Sequence, residues 1–181
     1  MDHLKEITIG KEKIFSGKII DLYVEDVELP NGKTSKREII KHPGAVAIIA
    51  VTDEGKILMV RQYRKALERT LVEIPAGKLE KGEEPFKTAK RELEEETGYT
   101  CKHLKPLISF YTSPGFADEL VHLYLAQGLE KLDVKKDLDE DEFMDLLEVT
   151  LEEANQLVQS GEIYDAKTAY AVLYLNLKLA K

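Results

Sequence analysis

The stretch Gly77-Lys-Leu-Glu-Lys-Gly-Glu83-Glu-Pro85-Phe-Lys-Thr-Ala-Lys-Arg91-Glu92-Leu-Glu-Glu95-Glu96-Thr-Gly98-Tyr99 reads as a glycine-rich loop running into a helix. Pro85 suits a first helical turn, where its missing N–H costs nothing. Gly98 suits the left-handed residue that ends a helix. Between them Glu92, Glu95 and Glu96 stand at i, i+3 and i+4, so they share one face a turn apart. Phe86, Ala89 and Leu93 follow the same spacing on a neighbouring face that can pack on a core. Like charges at this spacing weaken an isolated helix by roughly 0.2–0.5 kcal/mol per pair. Three carboxylates beside an apolar stripe therefore call for a cation, and hard divalent ions take oxygen ligands. The alternative is a solvated acidic face, the usual fate of a charge run.

Outward from this stretch the pattern is mostly strand. Residues 44–51 form a continuous apolar run, the mark of a strand buried on both faces. Asp53-Glu54-Gly55 is a turn and 56–63 the returning strand; 71–75 is a short strand feeding the glycine loop. Upstream, apolar residues alternate with charged ones over 5–29, Pro30-Asn31-Gly32 is a turn, and 33–41 returns as a strand. His42-Pro43-Gly44 is a sharp break, so 1–43 is expected to be a β region of its own and 44–181 the main domain. Downstream, 104–112 and 119–126 read as strands, 128–142 as an acidic loop and 143–149 as a last strand. Thr150-Leu-Glu-Glu153 is a capping box opening a helix that ends near Gly161. Asp165 caps a final helix whose run 169–175 is apolar almost all round and is expected to be buried. Strands mixed with three helices predict an α+β fold, a mixed sheet between helical layers, with an additional N-terminal antiparallel sheet.

Composition narrows the function. The chain has 181 residues, 26 basic and 34 acidic, for a net charge of −8. That balance and the absence of a basic run argue against nucleic-acid binding through phosphate neutralisation. No apolar run is long enough to span a bilayer. The opening residues lack a secretory pattern, and a single cysteine, Cys101, fits a reducing compartment, so a cytoplasmic location is expected. The four histidines are scattered without ligand spacing.

The pattern Gly77, five residues, Glu83, seven residues, Arg91-Glu92-Leu93-x-Glu95-Glu96-x-Gly98 resembles the signature of the Nudix hydrolases; Tyr99 at its last apolar position is a mild departure. The resemblance implies hydrolysis of a nucleoside diphosphate linked to another group. It implies two or three Mg²⁺ ions, or Mn²⁺, held by Glu92, Glu95, Glu96 and the Ala76 carbonyl. Arg91 and Glu83 would orient those carboxylates. Such ions neutralise an inert, anionic pyrophosphate and acidify water.

Beyond the signature, the chain is similar to the bacterial ADP-ribose pyrophosphatase subgroup. Pro114 stands 15 residues after Tyr99, within Tyr111-Thr-Ser-Pro-Gly-Phe116, and Arg37-Glu38-Ile39 and Gln62-Tyr63-Arg64 have the subgroup's form. Ser-Pro-Gly is also a common turn. The subgroup implies ADP-ribose as substrate, AMP and ribose 5-phosphate as products, and a homodimer that exchanges its N-terminal strands. Glu140 in the acidic loop matches the subgroup's general base and Glu142 its loop metal ligand; the rival base is a signature glutamate such as Glu96. The implied catalytic set is thus Glu140, Glu96 and Arg91. Arg37, Glu38, Arg64, Phe15, Glu119 and Pro114 are candidate substrate contacts, against ordinary roles as surface arginine, β-core aromatic or turn proline. Two alternatives stand beside this: another nucleoside diphosphate sugar or a dinucleotide as substrate, and a nucleotide-sensing module without turnover.

Overall fold

The computed structural model describes residues 2–80, 82–134, 136 and 142–179. The strands are β1 (Ile7–Ser16), β2 (Asp21–Glu28), β3 (Thr34–Lys41), β4 (Ala45–Val51), β5 (Ile57–Arg64), β6 (Arg69–Glu73), β7 (Ala76–Lys78), β8 (Tyr99–Tyr111), β9 (Leu120–Lys131) and β10 (Met144–Val149). The helices are α1 (Pro85–Thr97), α2 (Leu151–Ser160) and α3 (Ala166–Leu179). The chain divides into two compact units: Met1–Gly44 with Phe110–Val121, and Ala45–Ser109 with His122–Lys181.

The first unit is built on a three-stranded antiparallel sheet in the order β1-β2-β3. The Pro30-Asn31-Gly32 turn closes as expected: the Gly32 N–H donates to the Leu29 carbonyl and Gly32 takes the left-handed conformation. The turn around Pro114 is tied to the end of β3. Ile40 N–H donates to the Phe116 carbonyl, and Asp118 N–H donates to the Ile40 carbonyl. In β1 the apolar side chains Ile7, Ile9, Ile14 and Phe15 are all at least half exposed. Ile14 and Phe15 are adjacent, and register shifts at Thr8/Gly10 and Lys13/Phe15 interrupt the strict alternation of the strand.

The second unit is organised around a seven-stranded sheet, with β10-β5-β4-β9-β8 in line, β6 beside β5 and β7 beside β4. Val46 to Ala50 are fully buried, as a central strand requires. Period-2 alternation sends Val46, Ile48 and Ala50 to one face, where they meet Ala89 and Leu93 of α1, with Leu58, Tyr124 and Ala126 completing the cluster. Phe86, on the same stripe, stays half exposed against the edge of Tyr124. Ala47 and Ile49 point to the opposite face.

All three predicted helix signals hold. In α1, Pro85 stands in the first turn, and Gly98 ends the helix in the left-handed conformation with its N–H on the Glu94 carbonyl. In α2 the Thr150 hydroxyl accepts from Glu153 N–H while the Glu153 carboxylate accepts from Thr150 N–H. Asp165 caps α3 by accepting from Thr168 N–H. The helices α2 and α3 are joined by a reciprocal amide pair, Asn155 Nδ2 to Asn176 Oδ1 at 3.1 Å and Asn176 Nδ2 to Asn155 Oδ1 at 2.9 Å.

Three expectations are corrected. The run 169–175 is not buried all round: Ala171 and Val172 are buried, whereas Leu173 is 57% exposed, because only one face of α3 finds the rest of the unit. The glycine loop begins as a strand, since Ala76 and Gly77 pair through backbone alone with Ala47 and Val46. The strand β9 runs to Lys131, well into the stretch read as loop, and passes Gly128 in the left-handed conformation.

Candidate active site

The helix α1 and the strand end leading into it carry the site. Glu92 and Glu96 point from α1 toward the backbone of β7, and both are almost fully buried. The Ala76 N–H donates to Glu96 Oε2 at 2.9 Å. A Cβ on Gly77 would lie 2.0 Å from the carboxyl carbon of Glu92, so only glycine lets that carboxylate reach the loop backbone.

Arg91 organises the rest of the acidic face. Its Nη1 lies 2.8 Å from both Glu92 Oε1 and Glu95 Oε2, and its Nε and Nη2 reach Glu83 at 3.4 and 3.3 Å. One guanidinium thus spans three carboxylates. Burial disfavours the Arg91 charge, but Glu83, Glu92 and Glu95 outweigh it and hold its pKa above the usual value.

The two buried carboxylates are shifted the other way. Burial raises Glu92 to about 7, with Glu95 and Glu142 adding negative charge against the opposing Arg91. Burial raises Glu96 to about 8, helped by Glu92 and Glu142 and opposed by the Ala76 N–H and the Arg64 charge. Glu142 is thus close enough to act on both. Such paired, desolvated carboxylates are costly unless a cation serves them. Among the described residues no three acidic, cysteine or histidine side chains form a ready-made metal cage. The groups that could hold one, Glu92, Glu95, Glu96, Glu142 and the Ala76 carbonyl, offer oxygen alone, the ligand type of a hard divalent ion.

Arg64 has a buried partner. It makes a bidentate pair with Glu73, Nε to Oε1 at 2.6 Å and Nη2 to Oε2 at 2.7 Å. Glu73 is 2% exposed and is also gripped by Lys167 Nζ, which in turn meets Asp165 Oδ1 at 2.9 Å. Burial pushes Glu73 up, yet Arg64 and Lys167 outweigh it and bring its pKa down to about 2. Sequence reading missed Glu73, Lys167 and Asp165. The available signal was one acidic residue inside the apolar run Leu71-Val72-Glu73-Ile74, which demands a buried partner.

The other candidates lie in the first unit. Arg37 donates to Glu6 through Nε at 2.9 Å and Nη2 at 2.6 Å, and to the Ser35 hydroxyl. Glu38 and Pro114 are exposed, and Phe15 is exposed rather than a core aromatic. Glu119 accepts from the Thr112 hydroxyl and stands 3.8 Å from His42 Nε2. Glu140 lies outside the described residues.

A family model for the NUDIX domain matches residues 41–170. The chain is 72% identical over 180 residues to an ADP-ribose pyrophosphatase of Bacillus subtilis (strain 168), covering 99% of this chain and 97% of that one. It is 64% identical over 176 residues to a methanol dehydrogenase activator of Bacillus methanolicus, covering 97% and 95%. A solved structure described as an ADP compounds hydrolase superposes with a TM-score of 0.84 over 97% of this chain and 95% of that one, at 21% identity, which speaks to the fold alone. Matching in fold, in the signature helix and over nearly its whole length, the chain is a member of the Nudix hydrolase family.

Proposed function

We propose that the chain hydrolyses the diphosphate of ADP-ribose to AMP and ribose 5-phosphate, using magnesium held by Glu92, Glu95, Glu96, Glu142 and the Ala76 carbonyl. The observation that carries this reading is the pair of buried carboxylates on α1, Glu92 held by Arg91 and Glu96 by the Ala76 N–H. The Bacillus subtilis relative supports the choice of substrate.

When bound, the metal supplies positive charge to the diphosphate oxygens and a more acidic water. The chain does the rest. The Ala76 N–H and the Arg91 guanidinium fix where the carboxylate oxygens stand, so little reorganisation is left for the reaction. A water oxygen bonds to one phosphorus, the bridging P–O bond breaks, and the departing phosphate oxygen keeps the electron pair. Glu140 is proposed to take the water's proton, with Glu96 as the rival base. Arg64 is proposed to contact the diphosphate or the terminal ribose. Arg37, Glu38, Phe15, Glu119 and Pro114 are proposed as further substrate contacts.

The exposed apolar row of β1 supports a homodimer in which a second copy covers it. No helix among the described residues is long and apolar enough to cross a membrane, and a cytoplasmic enzyme is proposed. A second reading stands because the family match fixes the reaction class and not the substrate. Here the same hydrolysis would act on a dinucleotide rather than a free sugar nucleotide. A screen of ADP-ribose, other nucleoside diphosphate sugars, dinucleotides and nucleoside triphosphates, with and without Mg²⁺, separates these. Turnover highest on ADP-ribose supports the first reading, and highest on a dinucleotide the second. Binding without product from any of them would leave only a nucleotide sensor.

A further inference from the structure

The first turn of α3 lies behind the strand end that enters the active site and grips it twice. Lys167 Nζ holds Glu73 Oε2, and the Thr168 hydroxyl accepts from the Ile74 N–H at 3.1 Å. Two residues further on, Ala76 offers its N–H to Glu96. Asp165 braces the same turn by accepting from both Lys167 Nζ and Thr168 N–H.

Four charged groups meet here: Arg64, Lys167, Glu73 and Asp165. They sum to zero, but they are not equally accessible. The Arg64 side chain is 39% exposed, Lys167 15% and Glu73 2%. Glu73 has two oxygens to share. Both face Arg64, and Oε2 also faces Lys167. A carboxylate held by Arg64 alone would cancel that arginine's charge. Lys167 draws on the same carboxylate, and although Asp165 offsets part of the lysine's own charge, Arg64 is the most exposed of the four and keeps part of its positive potential. Its Nε and Nη2 are committed to Glu73, while Nη1 makes no hydrogen bond among the described residues. The grip therefore fixes the guanidinium plane and leaves one edge for an anion.

We propose that Lys167, acting through Glu73, is a positioning residue that keeps Arg64 oriented and electropositive toward the anionic substrate. This rests on the reading that Arg64 contacts that substrate. Lys167 itself is not placed against the substrate, and Asp165-Ala166-Lys167-Thr168 forms the rear support of the site.

The test is steady-state hydrolysis of ADP-ribose by the full chain with saturating Mg²⁺. Lys167→Gln removes the charge and keeps most of the length. It is expected to raise KM about ten-fold, with kcat and the Mg²⁺ midpoint unchanged within about two-fold, the pattern of lost uniform binding. Lys167→Arg is expected to restore KM. In an Arg64→Ala background, which itself raises KM, Lys167→Gln should add nothing, because the two act as one unit. An unchanged KM in Lys167→Gln, or an effect that adds in full to that of Arg64→Ala, overturns the proposal. A fall in kcat and melting temperature with KM constant also overturns it, since that is loose packing and not positioning. Lys167→Met carries the same comparison if Lys167→Gln does not fold. Arg64→Ala with unaltered KM refutes the substrate contact itself, an outcome distinct from a silent Lys167 substitution beside an affected Arg64→Ala.

Discussion

Replacing Gly77 by alanine should disable the enzyme while leaving it folded. The backbone at Gly77 is outside the left-handed region, so alanine fits there without strain, and the entropy effect alone would stabilise by about 0.4–1 kcal/mol. The obstacle is the added Cβ, 2.0 Å from both the carboxyl carbon and Oε1 of Glu92, where ordinary contact starts at 3.4 Å. The carboxylate must therefore retreat by at least 3.4 − 2.0 = 1.4 Å. Metal ligands tolerate displacements of only about 0.2 Å, and misplacements of about 1 Å near the chemistry cost about 10²-fold in rate. Turnover of ADP-ribose should fall about 100-fold and the Mg²⁺ midpoint should rise, with the melting temperature held within a few degrees. Adding Glu92→Asp shortens the acid by one methylene, about 1.5 Å, and should return part of the lost activity. A Gly77→Ala protein with wild-type kcat and Mg²⁺ midpoint would refute the claim that the close approach of Glu92 to the loop sets the metal site.

Glu96→Gln keeps an oxygen for the Ala76 N–H, so the fold should survive while kcat drops by more than about 10²-fold, beyond what loss of a supporting partner costs; circular dichroism and steady-state assays decide it. The pH dependence of the metal-free protein follows from the opposed shifts. Glu92 and Glu96, raised to about 7 and about 8, contribute stability that is complete below their ordinary value of 4.5 and is lost as pH rises through 7 and 8. Glu73, lowered to about 2, contributes stability above 4.5 that is lost as pH falls toward 2. Thermal melts of the chelated protein should therefore drop between about pH 5 and 8 and level off above, less so in Glu96→Gln, and Mg²⁺ should raise the melting temperature more at pH 8.5 than at 6; equal drops in both proteins contradict the assignment. Thr150→Ala removes the capping box of α2 and should cost about 1 kcal/mol with kcat unchanged, as read by urea denaturation. Ile9→Lys on the exposed face of β1 should shift sedimentation from dimer to monomer, and an unchanged dimer removes that face from the interface.

What could be read from sequence was whatever the chain writes locally. The helix α1 announced itself through Pro85, Gly98 and the period of Ala89 and Leu93, and the same window carried the acidic face. The strand β4 was legible because a run that apolar has no place but the middle of a sheet. Pairings made across the sequence left no local trace. Lys167 meets Glu73 from 94 positions away. Neither residue's neighbours specify the other. The strand β7 was missed because Ala76 and Gly77 have no strand propensity and pair by backbone alone. The outer face of α3 was misjudged because apolar composition says that a residue can be buried, not that a neighbour exists to bury it.

The paired asparagines between α2 and α3 have a consequence at a distance. Besides bonding each other, Asn155 and Asn176 each donate to a carbonyl one turn back on their own helix, so both amides are fully spoken for only in this alignment. Sliding one helix along the other by a turn would break both inter-helix hydrogen bonds at once and leave the two amide oxygens without their donors, which makes the pair a detent rather than a glue. Where α3 comes to rest decides where its first turn reaches the β6 strand end. Two neutral side chains thus set the calibration of a charged centre they never touch.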